Sequence, residues 1–172
     1  GKDALSFLQG LVTNDVRPLE AGPGIVWAAL LTPQGKYLAD FFVVRAADGA
    51  LLIDIATALA PATLRRLTMY RLRADVQITP VPLHVQRGLG PAPAGALADP
   101  RHPALGWRTW TALPGDLPEI DWDRIRVEHL IPESGIELVP DESYILEHGF
   151  ERLRGLRVEG DVTFGADVVC TG

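Results

Sequence analysis

Two apolar segments separated by a short turn constrain the fold of this 172-residue chain more than any other feature. Residues 25–32 and 37–45 are dense in strand-forming residues. The intervening residues 33–36 begin with Pro, which presets one backbone dihedral angle, and contain Gly, which permits a positive one. This pattern predicts a β-hairpin. An Asp-Gly pair at 48–49 then predicts a second turn, followed by a third strand over residues 51–55.

Helical spacing of apolar residues is found in two segments. Residues 1–12 are predicted to form an amphipathic helix with Asp3 as its N-cap. Residues 57–72 are predicted to form a longer helix with Thr57 as its cap. Alternation over residues 74–79 predicts a strand. A strand, a helix and a strand in succession suggest a split β-α-β unit of the ferredoxin-like kind.

The second half of the chain carries weaker signals. Residues 88–100 are rich in Gly, Pro and Ala without a period, which predicts a surface loop. Residues 105–112 are predicted to be a strand and residues 121–130 a short helix. From residue 156 the pattern is that of strand, turn, strand. The sequence therefore predicts the α+β class.

Composition excludes several classes of protein. With 47% hydrophobic residues the chain has ample material for a core. A net charge of -6, from 16 basic and 22 acidic residues, argues against a protein that coats duplex nucleic acid. Cys170 is the single cysteine, so an internal disulfide and a self-contained cysteine metal site are excluded. No apolar run approaches the roughly 20 residues that span a bilayer.

Common catalytic and nucleotide-binding motifs are absent from the sequence. There is no phosphate-binding loop, no dinucleotide fingerprint, no H-E-x-x-H and no G-x-S-x-G. The four histidines are scattered without metal-ligand spacing, and we expect no metal site in the chain. The chain begins with Gly rather than Met, and we expect residues to precede it. A signal peptide is not expected, because the first residues already have the pattern of an amphipathic helix.

Five segments resemble one family, in that family's order. They include the Leu-Thr-Pro-Gln-Gly-Lys turn and the Leu-Glu-His-Gly-Phe motif, and they cover residues 3–16, 31–41, 70–76, 99–108 and 146–155. Any one of them is weak evidence, whereas five in order are strong. The chain thus resembles the YgfZ-type folate-binding family, relatives of the aminomethyltransferase (T-protein) of glycine cleavage.

The resemblance implies a fold and a function. It implies a T-protein-like arrangement with a ferredoxin-like, folate-binding part at 1–80, a second α+β part at 81–155 and the start of a small C-terminal β-barrel at 156–172. It also implies a tetrahydrofolate-type ligand in a central hole and a role in the assembly, insertion or repair of 4Fe-4S clusters. The partners implied are folate and iron–sulfur client or assembly proteins.

One departure concerns the family's signature, Lys-Gly-Cys-Tyr-x-Gly-Gln-Glu. It should follow Gly155 shortly, but Leu156 instead begins a segment that resembles the first strand of the barrel. Either a segment is missing from this chain at that junction or it is truly deleted. The role of the motif cysteine is not transferred to Cys170, whose apolar neighbours suggest packing.

Two carboxylates are candidate folate ligands. Asp40 lies in an otherwise apolar strand, where a carboxylate is costly unless it is exposed or paired. The T-protein relatives have an acidic pair here; Ala39 replaces its first acid and Asp40 matches the second. Glu147 lies in the Leu-Glu-x-Gly-Phe pattern, and the resemblance implies that it grips the flat pterin head as a buried acid. The alternatives without a ligand are that Asp40 faces outward on a sheet edge and that Glu147 stabilises the start of a helix.

Three further residues complete the predicted site. Tyr70 could stack on a planar ring or bond through its hydroxyl, and Arg71, or in its place Arg73, could meet the glutamate tail of a folate. Arg108 could line the ligand hole. Alternatively, Tyr70 is a core residue and Arg71 and Arg73 are both solvated. Asn14 and the residue after it are expected to hold their loop, which could border the cavity.

Three functions therefore stay open. The first is a folate-binding protein that serves iron–sulfur cluster assembly in the cytoplasm, without a membrane partner and with direct nucleic-acid binding disfavoured. The second is a tetrahydrofolate-dependent aminomethyltransferase, against which Ala39 speaks. The third is a binding module without folate, which is either a scaffold or a module linked to tRNA modification. The Arg-rich stretch at 65–73 keeps the link to tRNA modification open. Whether the protein is an enzyme is thus undecided by sequence.

Overall fold

The computed structural model describes residues 1–115 and 119–157 and combines α-helices with antiparallel strands. The helices are α1 (Ala4–Gln9), α2 (Ala60–Tyr70) and α3 (Trp122–Glu128), and the strands are β1 (Gly24–Leu31), β2 (Tyr37–Arg45), β3 (Leu51–Ile55), β4 (His84–Gly88), β5 (Leu97–Ala98) and β6 (Trp107–Thr111). This mixture confirms the predicted α+β class.

The first sheet has the order β1-β2-β3, with both pairs antiparallel. The predicted strands at 37–45 and 51–55 are confirmed to the residue, and the one predicted at 25–32 is shifted by a single position. Successive side chains of a strand point to opposite faces, and here both faces are apolar. One face packs Trp27, Phe42 and Val44 into a core with residues from the end of the described chain. The other face belongs to a second core that contains Leu8 of α1.

The second sheet has the order β4-β6-β5 and is also antiparallel. Its central strand, β6, and the helix α3 confirm the predictions for residues 105–112 and 121–130. Asp121 caps α3 by accepting a hydrogen bond of 2.9 Å from the backbone N–H of Arg124. The sequence did not predict β4, and the two-residue β5 lies inside the segment predicted as a loop.

The strand predicted at 74–79 is wrong, because the structure has no strand there. Backbone donors in this segment are used locally: the N–H of Ala74 donates to the carbonyl of Arg71 and that of Val76 to Ala74. The N–H of Asp75 donates to the carboxylate of Asp3. These bonds compete with a sheet ladder. The β-α-β unit expected from the sequence is therefore not closed by this segment.

The predicted helix caps are confirmed only in part. Asp3 is the N-cap residue of α1, as predicted, but it makes no side-chain capping bond, since its carboxylate accepts from the N–H of Asp75 instead. Helix α2 begins at Ala60 after a turn in which the N–H groups of Leu59 and Ala60 donate to the carbonyl of Ala56. That turn places Thr57 too far upstream to cap the helix.

The predicted domain boundaries stay a prediction. Elements α1, α2 and the first sheet fall within 1–80, and α3 and the second sheet within 81–155. Of the predicted barrel start, 158–172, including Cys170, lies outside the described residues. Within the described residues, no helix has the length and apolar character needed to cross a bilayer.

Candidate functional site

A cavity of about 330 Å³ lies against β2, β3, β4, β6 and α3. Its charged lining consists of four arginines and three carboxylates, namely Arg87, Arg101, Arg108, Arg126, Asp40, Asp54 and Glu133. We call it the arginine-lined cavity. The volume lies at the lower end of the range of roughly 300–1,000 Å³ typical of small-molecule sites.

Asp40 lies at the wall of this cavity and accepts three hydrogen bonds. The indole N–H of Trp27 donates to Oδ2 over 2.8 Å, and the hydroxyl of Tyr37 donates to Oδ1 over 2.7 Å. The hydroxyl of Ser134 also donates to Oδ1. Burial and the charge of the Asp40 carboxylate raise the pKa of Tyr37 far above its usual value, so the phenol stays a donor. These bonds explain how a carboxylate is tolerated within an apolar strand.

Arg108 forms the centre of a buried ion-pair network. Its guanidinium contacts Asp54 over 2.7 Å and Asp99 over 3.4 Å. Asp99 also receives two hydrogen bonds, of 3.0 and 2.8 Å, from Arg101. Burial raises the pKa of Asp99, but the hydrogen bonds and positive charges of the two arginines outweigh it, and the net pKa lies below the usual value. The guanidinium carbon of Arg108 lies 4.2 Å from the ring centroid of Phe42, which fixes it against the core.

Arg87 has a different environment. Its guanidinium carbon lies 4.0 Å from the ring centroid of Trp122, and its buried Nε has no hydrogen-bond partner among the described residues. Burial, together with the positive charges of Arg108 and Arg101, lowers the pKa of Arg87 to about 10. It therefore remains a cation at neutral pH.

The structure brings together two of the five predicted site residues. Asp40 and Arg108 both line the arginine-lined cavity. Tyr70 is 38% exposed, which excludes the alternative that it is a core residue. Arg71 is exposed and donates to the carbonyl of Val76 over 3.1 Å. Neither Tyr70 nor Arg71 lines the cavity.

The expectation that Glu147 is a buried acid is wrong, because the residue is exposed and does not line the cavity. Glu147 lies in a turn, where its backbone N–H donates to the carbonyl of Tyr144. The apolar neighbours Ile145 and Phe150 are buried. The core thus takes the apolar residues of the motif and leaves the carboxylate outside. A contact between Glu147 and folate stays a prediction.

Asn14 holds its loop, as expected. Its side-chain nitrogen donates to the carbonyls of Trp27 over 2.9 Å and Arg154 over 2.6 Å, and its side-chain oxygen accepts from the N–H of Asp15. The side chain of Thr13 donates to the carbonyl of Gly155 over 2.7 Å. The loop is therefore tied to the end of the described chain.

Sequence reasoning missed Arg87, Arg101 and Trp122 as members of the site. Arg101 stands in the segment 99–108 that carries the resemblance, and this position is a usable signal. Arg87 stands in a strand that the sequence does not predict, and Trp122 stands in the helix predicted over residues 121–130. Only the fold places the last two together.

A second, larger cleft of about 1390 Å³ lies between α1, β3, α2 and residues 76–85. Apolar side chains of α1 and α2, such as Leu5 and Leu67, contribute to its lining. None of the five predicted site residues lines it. Over residues 1–115 and 119–157, no group of three or more His, Cys, Asp or Glu side chains is placed to hold a metal ion.

Comparison with known proteins finds relatives that match most of the chain. No protein-family profile matches the chain. An iron–sulfur cluster assembly factor IBA57 homologue, mitochondrial, of Mycosarcoma maydis is 27% identical over 185 residues, covering 91% of this chain and 46% of the relative. Human IBA57, an iron–sulfur cluster assembly factor also named as mitochondrial, is 29% identical over 191 residues, with 91% and 54% covered. An aminomethyltransferase of Ralstonia pickettii is 26% identical over 157 residues, with 88% and 40% covered.

The chain therefore spans about half the length of the curated relatives it matches. The relatives are of two kinds, iron–sulfur assembly factors and aminomethyltransferases. The resemblance found in the sequence named both kinds. They confirm that resemblance: the chain is a homologue of iron–sulfur cluster assembly factors and of an aminomethyltransferase.

Proposed function

We propose that this protein binds a folate and assists the assembly, insertion or repair of 4Fe-4S clusters. The observation that carries the proposal is the match over 91% of the chain to relatives named as iron–sulfur cluster assembly factors. Its partners are then folate and the client or assembly proteins of the iron–sulfur machinery. The cluster itself is cargo.

The arginine-lined cavity supports the folate half of the proposal. A carboxylate has about four lone-pair positions, and Asp40 uses three for Trp27, Tyr37 and Ser134. One position on Oδ2 is left for an N–H donor such as those of a pterin. Tetrahydrofolate, when bound, supplies a carrier for one-carbon units. At about 330 Å³ the cavity suits part of such a ligand, with Asp40 and Arg108 at its wall.

Cells that lack the gene provide the functional test. We expect them to lose activity of a 4Fe-4S enzyme while a 2Fe-2S enzyme keeps its activity. Expression of the wild-type protein should restore the lost activity. Unchanged 4Fe-4S enzyme activity in the deleted cells would contradict the proposal. Restoration by an Asp40→Asn variant that binds no folate would contradict the folate half alone.

An aminomethyltransferase of the glycine-cleavage type is the second candidate, favoured by the Ralstonia pickettii relative. Against it stands Ala39, which is 1% exposed in the second core, on the opposite face of β2 from Asp40. A carboxylate is therefore absent at the position of the family's first acid. Turnover with an aminomethylated lipoyl carrier and tetrahydrofolate would establish this candidate, and we expect none.

The site of action is part of the proposal. The sequence suggests the cytoplasm, whereas the fungal and human relatives are named as mitochondrial. We propose that the protein acts in the same compartment as its 4Fe-4S clients, which is either the cytoplasm or the mitochondrion. Immunoblots of separated cell fractions, with a marker protein for each compartment, distinguish the two.

A further inference from the structure

The arginines of the cavity differ in their partners. Arg101 contacts Asp99, Arg108 contacts Asp54 and Asp99, and Arg126 contacts Glu133. Arg87 makes no ion pair and no side-chain hydrogen bond with any residue that the structure describes. Arg87 is therefore the one arginine of this lining without a direct ion pair among the described residues.

Arg87 is fixed in position, but its buried Nε has no hydrogen-bond partner among the described residues. Strand β4 pairs it with Arg108 of β6, and the indole of Trp122 covers one face of its guanidinium at 4.0 Å. Stacking occupies the face and leaves the N–H edge open for hydrogen bonds. Nε on that edge is buried without a partner in the described part of the chain. Because buried polar groups in proteins are nearly always hydrogen-bonded, this donor points to a ligand.

The chemistry of the edge selects an anion. A guanidinium offers parallel N–H groups that match the paired oxygens of a carboxylate or phosphate. Arg101 and Arg108 line the same cavity and add to its positive potential. We propose that Arg87 is an anion-binding residue, and that the arginine-lined cavity takes a carboxylate or phosphate group of a small molecule. This inference does not depend on the ligand being a folate.

Binding of simple anions tests the proposal. Inorganic phosphate and glutarate are titrated into the protein by calorimetry at constant ionic strength. We expect both or one of them to bind the wild type, and Arg87→Gln to weaken that binding at least tenfold. Arg124→Gln makes the same charge change on the exposed surface of α3, outside the cavity, and should alter it less than twofold. Equal binding by Arg87→Gln and the wild type, or no binding by the wild type, would overturn the proposal.

Replacement of Arg87 by Lys distinguishes a carboxylate from a phosphate as the bound group. Arg87→Lys keeps the charge but loses the planar fork. If the natural ligand group is a carboxylate, glutarate binding falls in Arg87→Lys as it does in Arg87→Gln. If it is a phosphate, phosphate binding stays within a few-fold of the wild type. Either result supports an anion site and names its chemistry.

Chemical modification of the wild type avoids any folding defect of the variants. Phenylglyoxal reacts with arginine side chains, and mass spectrometry reports the rate at Arg87. Phosphate or glutarate should slow the reaction at Arg87 several-fold and leave Arg124 unaffected. Equal rates at Arg87 with and without both anions would overturn the proposal. Anion binding through Arg87 without any binding of tetrahydrofolate would leave it standing and contradict the folate proposal instead.

Discussion

The indole N–H of Trp27 donates to Oδ2 of Asp40 over 2.8 Å, across the diagonal of the β1–β2 pair. The same indole stacks on Phe150, with ring centroids 4.1 Å apart. Phe150 belongs to the Leu-Glu-His-Gly-Phe motif, so one aromatic side chain connects that motif to the carboxylate of the cavity. Two distant segments of the resemblance thus contribute to one packing unit.

Removal of the Asp40 carboxylate should destabilise the protein. Asp40→Ala leaves the buried N–H of Trp27 without an acceptor, and we expect the free energy of unfolding to fall by about 1–3 kcal/mol. Asp40→Asn should cost less, because the hydroxyls of Tyr37 and Ser134 can rotate to accept from an amide. Urea denaturation measures both, with the exposed Glu142→Gln as the control. Equal stability of Asp40→Ala and the wild type would contradict the hydrogen-bond assignment.

The ion-pair network predicts a larger effect at Arg108. Arg108→Met keeps an apolar stem against Phe42 but leaves the carboxylate of Asp54 buried without its cation. Loss of one partner of a buried pair typically costs about 3–5 kcal/mol.

A double variant isolates the pair from the rest of the site. Arg108→Met combined with Asp54→Ala should be less destabilised than the sum of the two single changes. The exposed Arg124→Met serves as control and should shift the free energy of unfolding by less than about 0.5 kcal/mol. Additivity of the two single changes, measured by urea denaturation, would mean that the charges do not interact.

Asp99 predicts a dependence of stability on pH. Its folded pKa lies below the ordinary 3.8, so the unfolded chain binds its proton more readily than the folded one. The stabilisation is present above about pH 4 and is lost as the pH falls through the folded pKa. Between pH 6 and pH 3, the free energy of unfolding of the wild type should fall more steeply than that of Asp99→Asn. Parallel slopes for the two proteins would show that this carboxylate does not titrate as described.

Asn14 predicts a link between the start and the end of the described chain. Asn14→Ala removes donors to the carbonyls of Trp27 and Arg154 and should cost about 1–3 kcal/mol. Gln34→Ala, in the exposed hairpin turn, is the matched control and should be nearly neutral. A neutral Asn14→Ala in urea denaturation would mean that the loop is held by its backbone alone.

Local signals made the first sheet predictable. Dense runs of strand formers and turns with Pro and Gly specify β1 to β3 without help from the rest of the chain. Asp40 was likewise conspicuous, because a carboxylate in an apolar strand needs partners. The alternating segment at 74–79 has the same strand signal, but its backbone N–H groups donate within a turn and to the carboxylate of Asp3 instead of to another strand.

Long-range contacts made the rest unpredictable. Strand β4 carries Gln86 and Arg87 without an apolar period, and it forms only because β6 lies beside it some twenty residues later in the chain. The environment of Arg87 depends on Trp122 of α3. The motif around Glu147 was found by resemblance, yet the direction of its carboxylate depends on how Ile145 and Phe150 enter the core.

Calorimetric titration of tetrahydrofolate into the protein tests the central claim most directly. We predict saturable binding at one molecule per chain, at least tenfold weaker binding by Asp40→Asn, and no change in Glu142→Gln. Absence of binding by the wild type, or equal binding by Asp40→Asn, would contradict the assignment of the arginine-lined cavity as a folate site.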